Sequence, residues 1–85
     1  MKKQKETPIP FENIDYFVDL GNHIFYYRKK KGYTQKELAH YLDISQTFVS
    51  RIERQTKITP FSMNLFISIC RILDVEPQKM FEPLP

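Results

Sequence analysis

The chain has 85 residues, enough for one small domain with a modest core, and 41% of them are hydrophobic, which argues against wholesale disorder. A net charge of +3 is only mildly basic, so the placement of the charge carries more information than its sum. A single cysteine, Cys70, excludes an intrachain disulfide and a cysteine-rich metal site, and no apolar run approaches the ~20 residues of a membrane span.

The opening MKKQKETPIP has lysines but no apolar segment behind them, so it does not read as a secretory signal and a cytoplasmic setting is expected. Residues 1–16 are expected to form a partly flexible N-terminal arm. Its lysines (Lys2, Lys3, Lys5) could touch phosphates. FENIDYFVD, at 11–19, mixes aromatics with acids and reads as a helical turn or the lead-in to a first helix.

From Leu20, the spacing of Leu20, Ile24 and Tyr27 predicts a helix over 20–31. Its last turn, RKKK, suits the negative end of the helix dipole, and Gly32 supplies the stop. Thr34 followed by Glu37 is a capping box. It opens a second helix over 35–42, with Leu38, Ala39 and Leu42 on its buried face. Asp43 and Ile44 make a tight turn, and Ser45 caps a third helix over 46–54.

RQTKIT is a polar connection. Thr59-Pro60 or Ser62 begins a fourth helix in which Met63, Phe66, Ile69, Cys70 and Leu73 recur at three or four. Asp74-Val75 turns the chain, and Glu76-Pro77 starts a short fifth helix ending near Phe81. No strand pattern, repeat or low-complexity segment is evident. The expected fold is all-α, with five short helices.

Two short helices joined by a three-residue turn, the second with a polar outer face, make a helix-turn-helix. The stretch LGNHIFYYRKKKGYTQKELAHYLDISQTFVSRIER resembles the Cro/C1-type (Xre-like) helix-turn-helix DNA-binding family. The parts that carry the resemblance are R-x-x-x-G-x-T-Q-x-x-L-A, then S-x-x-x-V-S-x-I-E-R, and the ending D-V-x-P-x-x-M-F. It covers about residues 20–82. The resemblance implies a lambda-repressor-like, five-helix DNA-binding domain over 17–82, with the N-terminal extension before it and a tail at 83–85.

The side-chain chemistry agrees. Val49 and Ile52 fasten the third helix to the core, and its other face points outward. An α-helix fits the major groove, where each base pair shows its own donor and acceptor pattern. Gln46 can bond adenine, Thr47 can offer its hydroxyl or methyl, Ser50 lets the helix sit deep, and Arg51 can fork onto guanine. The resemblance implies the same base-reading set. It also implies a phosphate contact from Gln35, flanked by Lys36, Arg54 and Lys57, and a structural ion pair between Arg28 and Glu53. Lys29 to Lys31 read as a solvated, steering face. Phe48 either meets a thymine methyl or covers the junction of the second and third helices.

The chain departs from the family in three places. Asp43 replaces a common glycine in the turn, Gln55 replaces one after I-E-R, and the spacing from Glu53 to Val75 is about one residue long.

Helix 4 is apolar on more than one side. Phe61, Leu65, Ile72, Met80 and Phe81 are therefore candidates for a homodimer interface. Two function classes stay open. One is a dimeric transcriptional repressor reading an inverted repeat in double-stranded DNA. The other is a protein-binding module, an antitoxin or adaptor that covers a second protein, with DNA binding secondary. An enzyme is not expected, and neither a cofactor nor a metal is implied. His23 and His40 are not spaced as a metal pair and are expected at the surface or a boundary. Cys70 is expected as a packed core thiol.

Overall fold

The computed structural model describes residues 13–54 and 59–85. The expected arm through residue 12 and the connection at 55–58, which includes Gln55 and Lys57, lie outside the described residues. The elements are α1 (Ile14–Lys31), α2 (Gln35–Leu42), α3 (Gln46–Glu53), α4 (Met63–Leu73) and a closing 3₁₀ turn (Pro77–Phe81). No strand occurs among the described residues.

Four α-helices are present rather than five. The last element, five residues long, is too short to close a stable α-helical ladder. It winds instead on tighter bonds, such as Lys79 N to Glu76 O at 2.9 Å.

α1 starts six residues earlier than its apolar spacing suggested, at Ile14 instead of Leu20. The segment placed in the arm or its lead-in is helical because Ile14 and Phe17 extend the stripe of Leu20 and Ile24 backwards by one turn or two. Phe17 finds a partner in Phe61, edge to face at 5.9 Å. Asp15 in the first turn complements the positive dipole end, although no side chain caps that end.

The other boundaries have local causes. Gly32, at φ +87°, lets its own N–H reach the carbonyls of Arg28 and Lys29 and stops α1. Ser62, not Thr59, caps α4: Leu65 N donates to Ser62 Oγ at 3.0 Å. Asp43 and Asp74 both close their helices in the left-handed conformation at φ 59°, a role aspartate tolerates better than most side chains.

The helices share one core. α3 packs on α2 and α1, α4 on α2 and α1, and the 3₁₀ turn folds back onto α1. Ile24, Leu38, Val49, Ile69 and Met80 are almost wholly enclosed. Met80, expected at a dimer interface, is instead a plug in the protomer's own core at 0% exposure. The return of the chain to α1 puts it there. Phe81, on the same turn, is exposed but lays its ring 5.7 Å from that of Phe66. Phe61, Leu65 and Ile72 are half-buried against the core. His23, expected at the surface or a boundary, is only 1% exposed, because the chain end covers it.

Two contacts set how α1 and α3 meet. A Cβ on Gly21 would stand 2.5 Å from the Ile52 carbonyl oxygen, so only glycine allows the helices this close. Two turns further along α1 lies Arg28. Its Nε donates to Glu53 Oε2 at 2.7 Å and its Nη2 to Glu53 Oε1 at 2.9 Å, a two-pronged pair with both residues buried. Arg28 Nη1 also donates to the Tyr33 carbonyl at 2.8 Å, and Gln35 Nε2 donates to Glu53 Oε1 at 3.1 Å. One carboxylate thus joins α1, α3 and the start of α2.

Two outcomes are expected from urea denaturation. Removing either half of the pair, in Arg28→Ala or Glu53→Ala, strands a buried charge and should cost about 3–5 kcal/mol. Gly21→Ala gains about 1 kcal/mol of helix propensity but forces a methyl into backbone, typically about 1–3 kcal/mol. It should therefore lower the midpoint. A raised midpoint would show that the helices can part without loss.

Candidate nucleic-acid interface

α2 and α3 form the helix-turn-helix. Thr34 Oγ1 accepts from Glu37 N at 3.0 Å, and Glu37 Oε1 accepts from Thr34 N at 2.8 Å, so the capping box fixes where α2 starts. At its end the left-handed Asp43 reverses the chain, and Ile44 N donates back to the Ala39 carbonyl at 3.0 Å. Ser45 then caps α3, its Oγ accepting from Phe48 N at 3.0 Å. Ala39 is 4% exposed; a larger side chain there would hold the two helices apart.

α3 divides cleanly into two faces. Val49 and Ile52 enter the core. Gln46, Thr47 and Arg51 are exposed, and Ser50 is half-buried between them. Phe48 is half-buried against the core. The only acid on α3 is Glu53, and it is sealed inside by Arg28. The exposed face of the helix therefore carries amide, hydroxyl and guanidinium groups with no carboxylate among them. That is the chemistry of a surface facing base edges and phosphates.

The expected phosphate residues separate into two kinds. Lys36 and Arg54 are exposed. Gln35 is half-buried, and one of its amide hydrogens is used on Glu53, which leaves the other and the amide oxygen for a ligand. A shallow cleft beside it is lined by Lys29, Gly32, Thr34, Gln35, Lys36 and Gln46, among others. Lys29 is thereby brought next to Lys36 and the N-terminal end of α2. Sequence reasoning had left Lys29 in a general steering run. The signal lay in Gly32, whose left-handed turn folds the end of α1 against the start of α2.

Among the described residues no group of three or more His, Cys, Asp or Glu could hold a metal ion. Burial pushes the Cys70 thiol up, away from the thiolate that nucleophilic chemistry needs. No described helix is long and apolar enough to cross a membrane.

Comparison with known proteins agrees with this geometry. The helix-turn-helix family profile matches residues 24–80. The chain is 32% identical over 63 residues to the HTH-type transcriptional regulator SinR of Bacillus subtilis, covering 74% of this chain and 56% of that protein. It is 36% identical over 56 residues to SinR of Bacillus licheniformis, covering 66% of this chain and 50% of that one. The chain thus spans about half the length of the curated relatives it matches.

Among solved structures, the restriction-modification controller protein C.AhdI of Aeromonas hydrophila superposes with a TM-score of 0.69 at 26% identity, covering 76% of this chain and 96% of that one. SinR, described as the master regulator for biofilm formation and solved in complex with DNA, gives 0.65 at 32% identity, covering 74% and 98%. These relatives are transcription regulators rather than enzymes. With its capped α2, its tight aspartate turn and its two-faced α3, the chain belongs to the Cro/C1-type helix-turn-helix family of DNA-binding regulators.

Proposed function

We propose that the protein is a dimeric transcriptional repressor of the cytoplasm that reads an inverted repeat, with α3 lying in the major groove of each half-site. The observation that carries this reading is the two-faced α3: Val49 and Ile52 hold it in the core while Gln46, Thr47 and Arg51 stay exposed and free of carboxylate neighbours on the helix. Gln46 pairs with adenine, Arg51 forks onto guanine N7 and O6, and Thr47 reads a neighbouring edge. Ser50, small and half-buried, lets the helix settle into the groove.

Gln35, Lys36 and Arg54 grip phosphates on either side, with Lys57 in the same role from outside the described residues. Lys29 joins them through the cleft it shares with Lys36. The free N–H groups and positive dipole ends of α2 and α3 add to the grip. SinR, solved with DNA, and the controller protein C.AhdI support the assignment.

The second copy docks through Phe61, Leu65, Ile72 and Phe81, three of them half-buried and the last exposed. A two-fold dimer sets its reading helices about 34 Å apart, one turn of DNA. It therefore prefers half-sites about 10 base pairs apart, centre to centre. A repressor needs no more than occupancy of such a site.

Selection of bound duplexes from a random pool, repeated at two salt concentrations, tests the assignment. The expected product is an inverted repeat whose affinity falls steeply with salt. In that duplex Arg51→Ala should cost about 1–3 kcal/mol and relax preference at one position of each half-site, whereas Lys36→Ala should weaken all sequences alike and flatten the salt slope by about one per half-site. Stoichiometric capture of a second protein, with no duplex enriched and Arg51→Ala without effect, would instead mark a protein-binding module.

A further inference from the structure

The four cations at the end of α1 are held in four different ways. Arg28 is locked to Glu53, and Lys31 Nζ is drawn to within 3.9 Å of the Asp74 carboxylate. Lys30 Nζ lies 6.0 Å from the centre of the Tyr26 ring. Lys29 has no carboxylate partner among the described residues. Its Nζ lies instead 5.9 Å from the centre of the Phe25 ring, one helical turn back.

Phe25 stands outside the apolar core and is 47% exposed. A second cation steadies its ring. The Arg28 guanidinium carbon is 5.3 Å from the ring centre, and that guanidinium cannot swing, because it donates to Glu53 and to the Tyr33 carbonyl. An aromatic face carries negative charge density and attracts cations within about 6 Å of its centre. A chain of contacts thus runs outward from Glu53 through Arg28 and Phe25 to Lys29. Lys29 lines the cleft that it shares with Gln35, Lys36 and Gln46. Lys36, in the same cleft, has no aromatic ring beneath its ammonium among the described residues.

We propose that Phe25 is a positioning residue for DNA binding, its ring holding the Lys29 ammonium at the mouth of the cleft to receive a phosphate of the duplex backbone. The inference rests on the reading of the α2–α3 face as the DNA interface. A lysine side chain is long and flexible, so fixing it on a phosphate costs entropy. A ring that gathers the ammonium beforehand reduces that loss. The ammonium keeps donors for the phosphate, because a ring face accepts no full hydrogen bond and an –NH₃⁺ group has three N–H. Phe25 therefore acts through Lys29, and it links the buried Glu53 network to a charge at the edge of the interface.

The test measures binding of the full chain to a duplex selected from a random pool. Lys29→Ala should weaken binding and flatten the salt slope by about one per half-site. Phe25→Leu keeps an apolar side chain but removes the ring, and should weaken binding roughly two- to fivefold per half-site. Phe25→Tyr restores a ring and should bind as the unaltered chain does. In the Lys29→Ala background, Phe25→Leu should have no further effect. An equal loss in both backgrounds would overturn the proposal, because the ring would then act through Arg28 or on DNA itself; no loss in either would overturn it too. Arg51→Ala separates the two levels. If it weakens binding while Phe25→Leu does not, the role of Phe25 alone falls. If neither Arg51→Ala nor Lys29→Ala alters binding, the DNA reading falls and takes the role of Phe25 with it. In the unbound, unaltered chain the ring current should move the Lys29 Hε protons upfield of those of Lys36. Coincident signals would overturn the proposal even if the variants fail to fold.

Discussion

The carboxylate of Glu53 is the point on which this domain turns. It sits at the end of α3, buried, and takes hydrogen bonds from Arg28 on α1 and Gln35 on α2. Arg28 in turn holds the Tyr33 carbonyl in the link between those two helices. A buried charge pair adds little net stability when compared with an apolar substitute. What it supplies here is position. Three helices converge on two oxygens with fixed directions, so the pitch and rotation of α3 are set from its inner end while its outer face remains free.

Close packing does the rest. α3 is only eight residues long, too short to persist alone in water, so its shape is borrowed from its neighbours. Gly21 lets the Ile52 backbone press against α1, and Ala39 leaves room for the crossing of α2 and α3. Val49 and Ile52 then lock the helix by its apolar side. The consequence is a short helix held firmly on its inner side, whose exposed groups have no acidic neighbours on the same helix. Rigidity of this kind lowers the entropy lost on docking.

Much of this was legible in the residues. Thr34 with Glu37, Ser45 and Gly32 announce helix ends through chemistry that acts within four residues, and Val49 and Ile52 declare a buried stripe. What escaped depends on distant parts of the chain. The early start of α1 was hidden because Ile14 and Phe17 lie among acids, with no capping side chain to mark the boundary. Their partner Phe61 is far away in sequence. Gly21 looked unremarkable because its reason is a backbone on another helix. Met80 reads as surplus apolar surface, and His23 as a surface or boundary group, for one shared cause. The C-terminal turn folds back on α1 and covers both, and no local pattern reports that return. Pro77 at the first position suits an α-helix and a 3₁₀ turn alike, so the local sequence does not separate the two.

The central claim is that α3, held by the Glu53 network, is the surface that meets the double helix. Amide chemical-shift mapping during titration with a duplex selected from a random pool tests it most directly. The account requires the shifts to concentrate at Gln46 to Arg51, with a second group at Lys29, Gln35 and Lys36, and the core amides of α4 to stay nearly still. Shifts confined to α4 and the C-terminal turn, with α3 unmoved at saturation, would contradict it.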